Sequence, residues 1–308
     1  MTKAEGVLGI NNNTGSDKRN LAGYLNLHFL NLWGTDRALY LKWKSSNENS
    51  KHLELSYHES GLADVPVAGD FSFQRIHQKK EWIKTSASAS IYYLKTAFRY
   101  GFDISSESVY SDTEDSTGFD SEKYSNWGLF GVLNNADNPS NPTTGFHLQL
   151  SPSLQISNTK QNDTVVPKLE IDLTRFSKIN DNWVVMNGLH YKEIFDRKAR
   201  KYQQYMMGGF NSLRGYNEEE FYSWQLGWFN NELRYLLSKD ARIYVLLDYG
   251  VYDRQRNGLK ADLWGTGVGI SINTRLGIID VSYALSINNN KLVDLSEGMV
   301  HLGILSSF

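Results

Sequence analysis

The sequence predicts an all-β chain folded as a transmembrane antiparallel β-barrel of about sixteen strands, with a long loop turned back into its lumen. Three observations carry that prediction. Apolar and polar residues alternate one for one along most of the 308 residues. The alternating runs recur roughly every nineteen residues, strand and turn together, as barrel strands do. The polar set includes Lys, Glu, Asp, Asn and His throughout, which suits a wet face better than a dry core.

Each run shows the same period of two, which puts one set of side chains on each face of a strand. In ALYLKWK, Leu39, Leu41 and Trp43 oppose Tyr40, Lys42 and Lys44. In HLELSYHES, Leu53, Leu55 and Tyr57 oppose Glu54, Ser56 and His58, and in KLEIDLTRF, Leu169, Ile171 and Leu173 oppose Glu170, Asp172 and Thr174. GVGISINTRLG and IIDVSYALSI repeat the pattern near the end of the chain. Runs start near Glu5, Leu21, Arg37, His52, Val67, Trp82, Ala97, Tyr124, Gly145, Val165, Trp183, Trp224, Arg242, Leu263, Ile278 and Gly298. The turns GTD, SKDA and INDN fall where the alternation breaks. A soluble β-sandwich or propeller would need turns every eight to twelve residues over a dry core. An even strand count brings both termini to one side, the periplasmic side of an outer membrane.

Composition agrees. There are 8 Trp and 18 Tyr against 5 Pro, a mixture that suits aromatic girdles at membrane interfaces. Cysteine is absent, which excludes thiol chemistry and suits passage through an oxidising periplasm. A formal net charge of −2 suggests no nucleic-acid partner. No apolar run approaches the roughly 18 residues of a membrane helix, and no signal peptide precedes the first run. The mean hydropathy of −0.46 is compatible with a barrel, because alternate residues face water. Without a linker or low-complexity tract, residues 1–308 read as a single domain.

One connection stands out. GGFNSLRGYNEEEF, from Gly208 to Phe221, is far longer than a hairpin needs and carries three glycines, Arg214 and three successive glutamates. It resembles the signature loop of the superfamily of BamA, TamA, mitochondrial Sam proteins and two-partner-secretion transporters: a hydrophobic residue before Arg-Gly-Phe or Arg-Gly-Tyr, here Leu213, Arg214, Gly215 and Tyr216. NNELRY resembles the family's next strand, giving Glu232 the place of its lumen-facing acid. LLDYG resembles the Phe-x-Asp-x-Gly motif, matching Asp248 and Gly250, with Leu246 in place of Phe. DNPSNPTTGFHLQL resembles a family turn, with Thr144 where Arg is usual. The chain's end, GMVHLGILSSF, resembles the C-terminal assembly signal of outer-membrane barrels, with Ser306 where an aromatic is common. The resemblance covers about Tyr124–Phe308 and lacks the family's periplasmic receptor domains.

Strand parity makes a separate argument. If Ile243, Val245 and Leu247 face lipid, Asp248 faces the lumen; if Phe229, Leu233 and Tyr235 face lipid, so does Glu232. An infolded loop then brings the Arg214 guanidinium to two carboxylates on adjacent strands, a latch of charge-assisted bonds. The bland alternative is an exposed polar loop with a solvated Arg214; Glu218, Glu219 and Glu220 suggest cation binding only weakly and read instead as a solvated tip.

The closing seam carries Gly6 and Gly9 in the first strand and Gly298 and Gly303 in the last, which ends at Phe308. Glycine weakens strands, so by resemblance this seam is a lateral gate offering an edge to a client strand. Relief of crowding explains the glycines equally well. His28, His52, His58, His77, His147, His190 and His301 show no metal-ligand spacing, and no nucleophile elbow or phosphate loop occurs. No catalytic site, cofactor or metal is expected. The resemblance implies an outer-membrane protein of a Gram-negative bacterium that translocates or inserts polypeptide, with lipids and a client polypeptide as partners. A periplasmic or fused N-terminal domain and a second copy of the chain stay open as further partners. The alternatives are a passive porin and the membrane anchor of an attached enzyme such as a patatin-type lipase.

Overall fold

A computed structural model describes residues 2–11, 20–47, 50–61, 65–112, 121–158, 163–253, 260–274, 277–288, 291–292 and 294–305. The strands are β1 (Thr2–Asn11), β2 (Asn20–Leu32), β3 (Arg37–Asn47), β4 (Ser50–Glu59), β5 (Val67–Gln78), β6 (Trp82–Lys95), β7 (Phe98–Ser111), β8 (Glu122–Asn134), β9 (Gly145–Asn158) and β10 (Asp163–Lys178). They continue with β11 (Trp183–Ile194), β12 (Tyr205–Met207), β13 (Phe221–Ser223), β14 (Gln225–Ser238), β15 (Ala241–Asp253), β16 (Lys260–Thr274), β17 (Gly277–Asn288), β18 (Lys291–Leu292) and β19 (Met299–Leu305). β12, β13 and β18 are short; the other sixteen run for 7 to 16 residues. Each of those sixteen begins within three residues of a start expected from the alternation. All but β19 reach the length of about nine to eleven residues that a tilted membrane strand needs. A single turn of 3-10 helix, Leu295–Glu297, leads into β19.

By compactness the chain divides into two units. The first comprises Met1–Phe130 and Ser153–Pro167, the second Gly131–Pro152 and Lys168–Phe308. In the first, β1 to β7 pair in sequence order, each antiparallel to the next. The β2–β3 turn at 33–36 needs left-handed backbone at Trp33, Gly34 and Asp36, which is where the GTD triplet falls. In the second, β10 and β11 pair, β11 pairs with β14, and β14, β15, β16, β17 and β19 follow as antiparallel neighbours. The 30 residues between β11 and β14 are therefore one long connection between paired neighbours, whereas β14 and β15 are joined by a tight turn.

In both units the buried polar and charged residues lie on the covered face, among apolar ones, while aliphatic and aromatic side chains are exposed on the other. On β15, Arg242, Tyr244, Leu246, Asp248 and Gly250 are buried while Ile243, Val245 and Leu247 are exposed. On β8, Tyr124 and Asn126 are buried while Trp127 and Leu129 are exposed. A protein folded in water would hide the second set, so this inversion marks an apolar surface that faces lipid. Aromatic pairs stand near the ends of the strands, where interfaces favour them: Trp183 meets Tyr235 edge-on at 5.0 Å, and Phe98, Tyr93 and Tyr100 cluster by the β6–β7 turn.

Candidate functional site

The β11–β14 loop is built from its own sequence before it touches the sheet. At its base the Ile194 amide donates to the Trp224 carbonyl at 2.7 Å, and β12 pairs with β13 from Tyr205↔Ser223 to Met207↔Phe221. The tip then reverses at Gly208, Gly209 and Gly215, whose φ values of 122°, 93° and 93° lie in the left-handed region that glycine tolerates. The Gly208 amide donates to Ser212 Oγ at 2.8 Å and the Gly209 amide to the Leu213 carbonyl at 3.0 Å. Two of the three glutamates are used here as well. Glu218 Oε1 accepts from the Phe210 amide at 2.7 Å, and Glu220 Oε2 from the Asn217 amide at 2.9 Å. Glu218 and Glu220 remain exposed to solvent, as expected of an acidic tip, while each also accepts a loop amide.

Apolar packing seats the tip on the sheet. Leu213, Met207 and Tyr216 are buried against Leu226 and Trp228, with Phe221, Tyr252 and Leu263 around them. Gly250 leaves the seat open: a Cβ there would stand 3.1 Å from a Leu213 methyl and 3.2 Å from the Met207 methyl. The backbone comes closer still at β16, where a Cβ on Gly265 would overlap the Arg214 carbonyl oxygen. The Tyr216 hydroxyl donates to the Trp264 carbonyl at 3.1 Å.

Arg214 then meets both acids. Its Nη2 and Nε donate to the two oxygens of Asp248 at 2.7 and 2.8 Å, a bidentate pair, and its backbone amide adds a third bond at 3.1 Å. Its Nη1 donates to Glu232 Oε1 at 2.5 Å, and its guanidinium stands 5.8 Å from the centre of the Tyr244 ring. Arg214 is 5%, Glu232 6% and Asp248 0% exposed, so the cluster is dehydrated. Burial works against the Arg214 charge. The hydrogen bonds to Asp248 and the charges of both carboxylates outweigh it, and the guanidinium holds its proton more firmly than a free arginine does.

The cluster extends beyond these three residues. Arg234 Nε donates to the second oxygen of Glu232 at 2.8 Å. Asp280 on β17 accepts from the Tyr244 hydroxyl at 2.5 Å and from Arg242 Nη2 at 3.4 Å. Arg214, Arg234 and Arg242 thus stand against Glu232, Asp248 and Asp280, three charges of each sign. Arg242 Nη1 also donates to the Ser140 carbonyl and to Asn141 Oδ1, at 3.3 and 3.1 Å, and Asn141 Nδ2 to the Lys239 carbonyl at 3.3 Å. These bonds fasten the turn after β8 to the start of β15. Within that turn Asp137 accepts from the amides of Thr143 and Thr144.

Several participants were not singled out in the sequence. His301 on β19 accepts at Nε2 from the Gly215 amide, 3.0 Å away. The Phe210 ring occupies the space over Gly303, where a Cβ would overlap it, so Gly303 has a local packing reason quite apart from any seam. Leu246 packs with Tyr244 and Ala284 in a cluster separate from the Leu213 seat. Gly9 lies in β1 opposite Ala22 of β2, and Phe308 lies outside the described residues. The alternation of glycine at 265, 267 and 269 was the available signal, since three bare positions on one face leave room for something to lie against it. Among the described residues no group of three or more His, Asp or Glu is placed to hold a metal ion.

Long antiparallel strands with charges on the covered face and aliphatic side chains on the uncovered face define an outer-membrane β-barrel. The chain belongs to the Omp85 superfamily: the family model described as the Omp85 superfamily domain matches residues 31–308. Among solved structures it is similar to BamA from Haemophilus ducreyi, crystallised lacking POTRA domains 1–3, with a TM-score of 0.67 and 15% identity over 98% of this chain and 68% of that one. It is also similar to CdiB from Acinetobacter baumannii, with a TM-score of 0.63 and 12% identity over 98% of this chain and 59% of that one. CdiB from Escherichia coli gives a TM-score of 0.67 and 14% identity over 98% of this chain and 61% of that one. The chain therefore spans about three fifths of either CdiB chain, and at these identities the likeness shows the fold. A search of curated proteins finds no match.

Proposed function

We propose that residues 1–308 form a single outer-membrane barrel domain that moves polypeptide across or into the membrane, with the Arg214 loop latched inside its lumen. The observation that carries this reading is the bidentate Arg214–Asp248 pair completed by Glu232, buried beneath a loop whose backbone lies against β16. A pore for small solutes has no use for a dehydrated, three-residue clamp that fills its own channel. A channel that opens for a bulky client does, because the clamp holds the resting state closed and breaks as a unit. No covalent chemistry is involved; the work comes from the client's own folding and strand pairing.

The test is planar-bilayer conductance of the purified chain beside a client-insertion assay in vesicles. Small, flickering wild-type conductance that rises in Asp248→Ala supports the latched translocase. A large and steady wild-type current favours the porin. A closed pore with no client movement, and a lipase-like coding segment upstream of the barrel, favours the membrane anchor.

A further inference from the structure

We propose that His301 is the positioning residue that ties the loop to the last strand, so that β19 is held at its inner face by an acceptor that protonation removes. The inference rests on the translocase reading for its purpose but on separate geometry for its existence. Gly215 sits between the latch residue Arg214 and Tyr216, and its amide donates to His301 Nε2 at 3.0 Å in a buried setting. A Cβ on Gly215 would come within 2.9–3.0 Å of the Leu285 carbonyl group on β17, so the tip has no slack with which to follow a retreating strand. Two residues along β19, on the same face, the Phe210 ring fills the space left by Gly303. The loop therefore grips β19 at two successive inward positions, one by a hydrogen bond and one by shape.

The chemistry of the bond makes it conditional. A ring nitrogen accepts a hydrogen bond only when it carries no proton, whereas both nitrogens of an imidazolium are donors. Protonated His301 would present an N–H to the N–H of Gly215 and the tie would be lost, along with a buried amide's only partner of this kind. The charged groups that face His301 are Arg214 and Glu218 from the loop and Asp248 from β15; Ser282, opposite it on β17, is neutral. Protonation of His301 thus loosens β19 from the loop.

Limited trypsin digestion of the full chain in detergent micelles tests this. The bond after Arg214 is buried while the loop is docked, and the bond after exposed Lys79 in the β5–β6 turn corrects for the protease's own pH dependence. The readout is the ratio of cleavage at the two sites at pH 7.5 and pH 5. The wild-type ratio should rise about tenfold on acidification, the change that losing one buried hydrogen bond of roughly 1.4 kcal/mol gives. His301→Gln keeps a neutral acceptor at every pH and should stay protected at both. His301→Ala should be cleaved at the raised level at both. A pH-dependent rise that persists in His301→Gln, or protection in His301→Ala equal to wild type, overturns the proposal. Client insertion is scored separately: insertion without any effect of His301 on the ratio sinks the tie and spares the translocase, and a His301-dependent ratio without insertion does the reverse.

Discussion

Replacing Asp248 with alanine should be among the costliest single changes on the polar face of this chain's second unit. Asp248 is wholly buried, and all three of its hydrogen bonds come from Arg214, at 2.7, 2.8 and 3.1 Å. Without the carboxylate, a guanidinium at 5% exposure retains Glu232, which it already shares with Arg234. Stranding a buried charge in this way costs about 3–5 kcal/mol. Arg214→Ala strands Asp248 in turn and should cost a similar amount. The double variant removes both charges, leaving Leu213 and Tyr216 to hold the loop by packing, so its loss should fall short of the sum by about 2–3 kcal/mol. Urea-dependent folding into lipid bilayers, followed by tryptophan fluorescence, measures all four corners of the cycle, and Trp228 and Trp264 lie beside the loop to report on it. Losses that add within about 0.5 kcal/mol would refute the reasoning, because independent sites behave that way and clamped pairs do not.

Gly265→Ala should displace the loop, since the new methyl collides with backbone rather than with a side chain that can swing aside; an overpacking loss of about 1–3 kcal/mol is expected in the same folding assay, with increased trypsin cleavage after Arg214. Val245→Arg places a cation on the exposed face of β15 and should destabilise the bilayer-inserted fold by about 2–4 kcal/mol if that residue lies near the membrane midplane; a neutral outcome would remove β15 from the lipid-facing surface. Asn141→Ala unfastens the turn after β8 from Arg242 and Lys239; hydrogen exchange should speed up over residues 135–144 while tryptic protection of Arg214 stays unchanged.

The strands were legible because a period of two is a local property. ALYLKWK needs no knowledge of its neighbours to declare two faces, and β3 duly runs through it. The meeting of Arg214 with Glu232 and Asp248 was partly legible for the same reason: parity assigns both acids to one face of adjacent strands, opposite Ile243 and Val245. What parity lacks is depth along the strand and the path of the loop. Nothing local links Gly215 to His301, 86 residues away, or Arg242 to Asn141, 101 residues away. Those pairs exist because a loop and a turn fold onto strands they do not adjoin in sequence. The glutamates were legible as an exposed tip; what the sequence could not show is that Glu218 and Glu220 also accept the amides of Phe210 and Asn217.

The bare positions at 265, 267 and 269 have a mechanical corollary. Cross-strand side-chain pairs are what stiffen a sheet, and β16 forgoes them at three consecutive sites on its covered face. Tyr244 fills the space over Gly269 and the β17 backbone closes on Gly267, which leaves Gly265 as the site open to the loop. The docked loop lends back the rigidity, its backbone lying across Gly265 like a splint on a joint. Removing the splint would free the backbone of β16 at Gly265.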